Sequence, residues 1–127
     1  MAKKDKVKKE RDENVNKEIF PNGPTENKLA EWKAKYGDEV YMSEFGEDKY
    51  IFRPISRLEY KKVLNAEGVK NVTELYNEEK IMDLAVLWPE NINHDAIING
   101  KAGVPTKLTD QVMSKSGFVP TSGPVKL

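Results

Sequence analysis

Hydrophobic residues are unevenly distributed along the chain. From Val40 to Phe118 they recur in periodic clusters, whereas residues 1–17 contain almost none beyond Val7 and Val15. A segment this poor in apolar side chains buries too little surface to offset the entropy lost on folding. The pattern predicts one modest core, preceded by a charged and flexible N-terminal arm over residues 1–24.

Residues 19–24 mark the end of the arm, because two prolines and a glycine in this stretch favour a turn or bend. Thr25 follows directly and belongs to the residue types that cap helix N-termini. Gly37 is suited to ending a helix. We therefore predict a short helix from Thr25 to Tyr36.

This helix carries a narrow apolar stripe, because Leu29, Trp32 and Tyr36 are spaced three and four residues apart on one face. A helix of this length with so small an apolar face is marginal alone and must dock on another surface. Aromatic residues are also enriched at binding hot spots. We expect residues 25–37 to form a docking helix whose Leu29, Trp32 and Tyr36 side chains contact a partner.

Two runs rich in Tyr, Val, Ile and Phe, residues 39–45 and 49–54, have the composition of β-strands. Residues 46–48, Gly-Glu-Asp, lie between them and favour a tight turn. Pro54 has no backbone N–H and is expected to close the second strand. This region therefore predicts a β-hairpin.

A helix start follows the hairpin. Ser56 can accept the N–H of Glu59, and the Glu59 carboxylate can accept the N–H of Ser56, which together make a capping box. Ile55 and Tyr60 occupy the two positions of a hydrophobic staple around it. We predict that the helix ends near Gly68.

Two further helices are predicted downstream. Residues 72–88 are apolar on most sides in their second half, which is typical of a central core helix, and Pro89 ends it. After a loop, the last helix has Pro105 in its first turn and stops at Gly117. Residues 119–127, with two prolines and a glycine, predict an extended tail.

The fold class that these elements predict is α+β, with a β-hairpin packed on about three helices. The domain extends over residues 38–118 and is flanked by the arm and docking helix on one side and by the tail on the other. The predicted core consists of Tyr50, Phe52, Ile55, Tyr60, Val63, Leu64, Leu75, Ile81, Met82, Ala85, Val86, Trp88, Leu108 and Val112.

The charge of the whole chain is balanced, with 21 basic and 21 acidic side chains. A nucleic-acid-binding protein usually has a basic excess, because its affinity comes from neutralising phosphates. The arm is the local exception, since residues 1–11 hold six basic and two acidic side chains, a net charge of +4. Such blocks are usually solvated and disordered. Contact with RNA, DNA or an acidic protein surface is the alternative, and the candidate residues are Lys3, Lys4, Lys8 and Lys9.

The sequence lacks the side-chain combinations that catalysis requires. It has no cysteine, and His94, next to Asp95, is its one histidine. Nucleophilic catalysis needs an activated nucleophile with a base, and zinc needs several His or Cys ligands. The glycines in residues 100–103 match neither phosphate-binding fingerprint. We expect no enzymatic activity, no metal and no cofactor.

Cysteine content and the distribution of apolar residues also indicate the cellular location of the protein. Lack of cysteine fits a reducing compartment, and the charged N-terminus has no apolar segment behind it, as a secretory signal would. No apolar run approaches the roughly 20 residues that span a bilayer. We expect a cytoplasmic protein without membrane contact.

Residues 50–60, YIFRPISRLEY, combine an aromatic and aliphatic strand with Arg-Pro-Ile-Ser-Arg-x-Glu-Tyr at a helix start. Downstream lie VLWPE at residues 86–90, KAGVP at residues 101–105 and SGF at residues 116–118. In this order the motifs resemble small proteins of tailed bacteriophages, a group that includes tail assembly chaperones and other tail or virion-associated proteins. The resemblance extends over about residues 50–118.

The resemblance implies a role in phage morphogenesis. A tail assembly chaperone binds the long helical tape measure protein, keeps its apolar helices from aggregating, and gives way to tube subunits as the tail polymerises. The implied partners are tape measure protein or tail subunits, and the implied location is the host cytoplasm during assembly, or the virion. No catalytic residue is carried over, because such a protein performs no covalent chemistry.

Three hypotheses stay open from the sequence. The first is an assembly chaperone acting on tape measure protein. The second is a structural virion protein of the tail, baseplate or neck, whose arm laces along neighbouring subunits. The third is a regulatory protein that binds nucleic acid through the basic arm, although the neutral overall charge argues against it. Self-association is compatible with each.

Overall fold

The computed structural model describes residues 17–65, 74–90, 100–119 and 123–127, and the chain divides into two units, Met1–Val40 and Tyr41–Leu127. The described part of the chain contains four helices and three strands. In chain order they are α1 (Glu26–Tyr36), β1 (Tyr41–Phe45), β2 (Asp48–Phe52), α2 (Arg57–Leu64), α3 (Glu74–Ala85), β3 (Val86–Trp88) and α4 (Gly103–Lys115). The predicted α+β class is confirmed.

A tight turn precedes α1. The Gly23 N–H donates to the Phe20 carbonyl over 2.9 Å, and Asn22 has a φ of 63°. Pro21 followed by a residue with positive φ is the pattern of a type II turn. The Phe20 ring lies against Gly23 so closely that a Cβ there would overlap it. Of the predicted arm over residues 1–24, residues 17–24 therefore contain a defined turn, and residues 1–16 lie outside the described residues.

Helix α1 has the predicted boundaries. The Thr25 hydroxyl accepts the N–H of Lys28 over 3.2 Å, which satisfies one of the free donors of the first turn. Gly37 is the C-cap, and its N–H donates to the Lys33 carbonyl. Trp32 is the buried residue of this helix.

The predicted hairpin is confirmed, with shorter strands. β1 and β2 are antiparallel, and Tyr41 is paired with Phe52 at one end and Phe45 with Asp48 at the other. The turn is two residues long, and Gly46 at its first position has a φ of 63°. Glu47 at the second position does not have a positive φ, so the turn is of type II′, which favours glycine at its first position and matches the twist of the strands.

The sheet has a third strand that the sequence pattern did not predict. Val86–Trp88 pairs antiparallel with β2, in the strand order β1-β2-β3. The predicted helix over residues 72–88 is therefore wrong in its last turn, because α3 ends at Ala85. Pro89 disfavours helical geometry in the residue before it, and the free edge of β2 offers this segment backbone partners instead.

Helix α2 begins with the predicted capping box. The Glu59 N–H donates to the Ser56 hydroxyl over 3.2 Å, and the Ser56 N–H donates to the Glu59 carboxylate over 3.0 Å. The predicted end near Gly68 is wrong, because α2 ends at Leu64 with Asn65 as C-cap. Gly68 itself lies outside the described residues.

The core lies between one face of the sheet and the helices α2, α3 and α4. In the described part of the chain its buried cluster consists of Phe52, Ile55, Val63, Ile81, Met82, Ala85, Leu108 and Val112. Each of these residues was predicted. Complete burial of a side chain the size of Leu or Phe contributes about 1.5–3 kcal/mol, so this cluster is the main source of stability for the second unit.

Two residues of the predicted core, Leu64 and Trp88, are less buried than expected, and one buried residue, Ile51, was not predicted. Leu64 is 50% exposed, because it is the last residue of a helix that ends earlier than predicted. Ile51 is buried and was not predicted, because a half-buried strand should expose every second residue. Trp88 pairs with Ile51 and is half-buried in β3. The side chain of Leu75 lies outside the described residues.

Helix α4 contains Pro105 in its first turn, as predicted, and ends at Lys115. The Ser116 hydroxyl then accepts the N–H of Ile55 over 2.9 Å and donates to the Val112 carbonyl over 2.7 Å. The Phe118 ring packs edge-on to Tyr60, with 5.1 Å between the ring centres. The end of α4 is thereby joined to the start of α2.

Candidate functional site

A cleft in the second unit is the candidate site. It has a volume of about 760 Å³ and is bordered by three segments. These are the β1–β2 hairpin around its turn, the second half of α3, and the chain from Gly100 into the first half of α4. The residues that line it are Phe45, Gly46, Glu47, Asp48, Tyr50, Met82, Gly100, Lys101, Val104, Pro105 and Leu108. A volume in this range accommodates a small ligand or several side chains of a partner.

The floor of the cleft is apolar. Met82 and Leu108 are each 1% exposed and also belong to the core, so their positions are fixed by packing. Phe45 and Tyr50 stand on the same face of the hairpin, with their rings edge-to-face and 5.8 Å between centres. Val104 adds a half-buried aliphatic wall from α4. Because Met82 and Leu108 are almost fully buried, the accessible apolar surface of the cleft comes from Phe45, Tyr50 and Val104.

Charged side chains border the floor. Glu47 and Asp48 are exposed on the turn, and Lys101 is exposed on the opposite segment. Burial raises the pKa of the Tyr50 phenol, and the nearby Asp48 carboxylate raises it further. Tyr50 therefore remains a neutral hydrogen-bonding group at physiological pH. The rim combines both signs of charge with one hydroxyl.

The polar groups that line the cleft are the carboxylates of Glu47 and Asp48, the Lys101 ammonium and the Tyr50 phenol. Among the described residues that line it, none is His, Cys or Ser, and the Tyr50 phenol has a pKa shifted away from the range of a general base. Within the described ranges, no three His, Cys, Asp or Glu side chains are grouped as metal ligands would be. His94 and Asp95 lie outside the described residues.

A separate ion pair lies at the junction of β2 and α2. Arg53 donates two hydrogen bonds of 2.8 Å to the two carboxylate oxygens of Glu59. The Arg53 hydrogen bond lowers the pKa of Glu59 to about 2; burial opposes this shift, and the Ser56 N–H adds to it. Neither residue lines the cleft. Their pairing fixes the start of α2.

The residues that the sequence singled out for partner binding are not in the cleft. Trp32 is 7% exposed, so its ring is already covered within the chain and does not form an exposed docking surface. Leu29 is half-buried, whereas Tyr36 is 37% exposed, with the Lys35 ammonium 5.2 Å from its ring centre. The arm residues Lys3, Lys4, Lys8 and Lys9 lie outside the described residues.

The cleft itself was not predicted. Its floor joins residues that are about 60 positions apart in sequence, and no local motif links them. Phe45 and Tyr50 appeared as ordinary strand residues, and Leu108 as an ordinary core residue. The glycines of residues 100–103 match no phosphate-binding fingerprint, and two residues of that stretch, Gly100 and Lys101, nevertheless border the cleft.

Comparisons of this chain with protein-family models, with curated protein sequences and with solved structures find no match. In the described part of the chain, no helix combines the length and apolar character needed to cross a membrane.

Proposed function

We propose that this chain is a non-enzymatic protein-binding module of bacteriophage tail assembly, a chaperone that holds helical segments of tape measure protein in the cleft. The observation that carries the proposal is the apolar lining by the half-buried Phe45, Tyr50 and Val104 within a charged rim. Met82 and Leu108 support this lining from beneath. The phage context comes from the resemblance of the motifs in residues 50–118.

An apolar cleft of this kind suits an amphipathic helix. Such a helix inserts side chains at positions i, i+3 or i+4, and i+7 into a hydrophobic groove. Burial of those side chains supplies affinity at about 25 cal/mol per Å². The floor is pre-formed because Met82 and Leu108 are held in the core, so little ordering is needed on binding.

The rim favours reversible binding. Exposed ion pairs contribute only about 0–1 kcal/mol each, and Glu47, Asp48 and Lys101 are exposed. They orient a partner and exclude unsuitable ones more than they strengthen the complex. A chaperone that must release its client to tube subunits needs this combination of a hydrophobic contact surface and weak charge contacts.

The test is co-expression of the full chain with the tape measure protein of the same phage, followed by co-purification. In the variant Val104→Asp, a carboxylate replaces an apolar wall of the cleft at the second residue of α4. Acidic residues are tolerated in the first turn of a helix, so the fold should be retained. We expect loss of co-purification.

The matched control is Ala102→Asp, which adds the same charge two residues earlier at an exposed position outside the cleft lining. This variant should still co-purify. If both variants co-purify equally with tape measure protein, the client does not bind in the cleft. The same conclusion follows if both lose co-purification equally while circular dichroism shows that they are folded.

The composition of purified particles tests the assembly role. A chaperone is expected to be absent from finished virions. Stoichiometric presence would instead support a structural virion component of the tail, baseplate or neck.

A further inference from the structure

The charged side chains that border the cleft are divided by sign between two segments. In the described part of the chain, the acidic ones are Glu47 and Asp48 at the hairpin turn, and the basic one is Lys101 on the segment that leads into α4. The border of the cleft therefore has an acidic part, contributed by the hairpin, and a basic part, contributed by a distant stretch of the chain.

These charges do not neutralise one another. All three side chains are exposed, and within the described residues no hydrogen bond or ion pair joins any of them to another side chain. A charge that is unpaired at the border of an apolar site is available to a partner. Such charges select the partner by the sign of the groups it brings to them.

Backbone contacts hold both parts of the border in place. Asp48 is paired with Phe45 at the end of the hairpin, and Glu47 lies in the two-residue turn between them. The Lys101 carbonyl accepts the N–H of Val104 over 3.2 Å, which ties Lys101 to the first turn of α4. The charged residues therefore occupy fixed backbone positions beside Phe45 and Val104, which line the cleft.

We infer that the client of the cleft is an amphipathic helix whose apolar stripe has basic residues along one flank and acidic residues along the other. The inference rests on the proposed function, the binding of a helix in the cleft. When a helix places its stripe against the apolar lining, its flanks lie beside the border. The basic flank then meets Glu47 and Asp48, and the acidic flank meets Lys101. A helix with one sign of charge on both flanks brings a like charge to one part of the border whichever way it runs.

The test measures the affinity of the full chain for three synthetic peptides of about 20 residues, which is long enough to form a helix in water. All three have the same leucine stripe at positions i, i+3 or i+4, and i+7. The mixed peptide has lysines along one flank and glutamates along the other. The lysine peptide and the glutamate peptide each have a single residue type on both flanks. Fluorescence anisotropy at about 0.1 M NaCl, where surface charges are only partly screened, gives each Kd.

We expect the mixed peptide to bind the wild-type chain most tightly. Its affinity should exceed that of the lysine peptide about threefold and that of the glutamate peptide about tenfold. The larger difference arises because the glutamate peptide sets like charges against two carboxylates, whereas the lysine peptide opposes one ammonium group. Reversing the direction of a helix exchanges its flanks, so the mixed peptide can always present the matching flank to each part of the border.

The variant Lys101→Glu should exchange the order of the first two peptides. All three charged residues of the described border are then acidic, so the lysine peptide should bind about threefold more tightly than the mixed peptide. An acidic residue just before a helix is favourable, so the fold should be retained. The matched control is Lys107→Glu, which makes the same charge change on an exposed residue of α4 outside the cleft lining and should leave the order unchanged.

Failure of the inference and failure of the proposed function give different results. If the wild-type chain binds all three peptides equally, or if Lys101→Glu leaves their order unchanged, the border charges do not select the client, although the cleft still binds a helix. If no peptide binds, or if Val104→Asp leaves binding unaffected, the cleft is not a helix-binding site and both proposals are overturned. Circular dichroism verifies that each variant is folded.

Discussion

Arg53 and Glu59 form a bidentate ion pair, in which Nη1 donates to Oε1 and Nη2 donates to Oε2, each over 2.8 Å. Oε1 also accepts the N–H of Ser56, so one carboxylate serves both the ion pair and the helix cap. The Arg53 side chain is 11% exposed and that of Glu59 26% exposed. The pair therefore joins the residue after β2 to the first turn of α2 in a partly desolvated setting.

Replacing Glu59 with Gln should destabilise the second unit by about 1.5–3 kcal/mol, which is the usual contribution of a hydrogen bond to a charged group. Gln preserves the shape but accepts only one of the Arg53 bonds. Urea denaturation at pH 7 measures the change. Lys80→Gln is the control, because Lys80 and Asp83 are 4.0 Å apart and more exposed, and the expected loss is at most about 0.5 kcal/mol. Equal losses in the two variants would contradict the special role of Glu59.

The stability of the protein should fall in acid because of the same carboxylate. The pKa of Glu59 is about 2 in the fold, against 4.5 as its ordinary value. Its contribution is therefore complete above about pH 4.5 and is lost as the pH falls through about 2. The difference in unfolding free energy between wild type and Glu59→Gln should shrink over that interval. Urea titrations at several pH values from 7 to 2 measure it, and a constant difference would contradict the assignment.

Ser116→Ala should lower the free energy of unfolding by about 1–3 kcal/mol, because it leaves the N–H of the buried residue Ile55 without its acceptor. Thermal unfolding followed by circular dichroism measures this loss. Ser114→Ala provides the control, since Ser114 is exposed on the same helix, and its effect should stay within about 0.5 kcal/mol. A neutral Ser116→Ala variant would show that water replaces the hydroxyl.

Trp32→Ala should destabilise the first unit, because the ring is 7% exposed and truncation of a buried aromatic residue costs about 3–5 kcal/mol. Tyr36→Ala, at 37% exposed, should cost much less, about 1 kcal/mol. Denaturant unfolding followed by far-UV circular dichroism compares the two. Loss of partner binding by Trp32→Ala without loss of stability would restore the docking interpretation.

The sequence was sufficient where a short motif determines local geometry. Ser56 and Glu59 specify the capping box within four residues, and Thr25 and Gly37 set both ends of α1. These interactions are local, so their residues are recognisable without knowledge of the fold. The eight buried core residues were also identified, because a helical or alternating apolar pattern survives in each segment.

The sequence was insufficient to predict those features that depend on tertiary contacts. The apolar run through Ala85 continues into Val86–Trp88, and only the free edge of β2 explains why the run changes from helix to strand. The cleft is likewise a tertiary feature, because Tyr50 and Val104 border it from distant parts of the chain. Trp32 has a spacing that fits either docking or burial, and its local sequence does not distinguish the two.

The bond between Ile55 and Ser116 also makes one amide a reporter for the whole second unit. Its donor lies just before α2, and its acceptor comes 61 residues later, after α4. We expect this proton to exchange with solvent when α4 separates from the start of α2, an opening that takes Leu108 and Val112 out of the core. The exchange rate of the Ile55 amide in D₂O is therefore expected to follow global unfolding rather than local fraying.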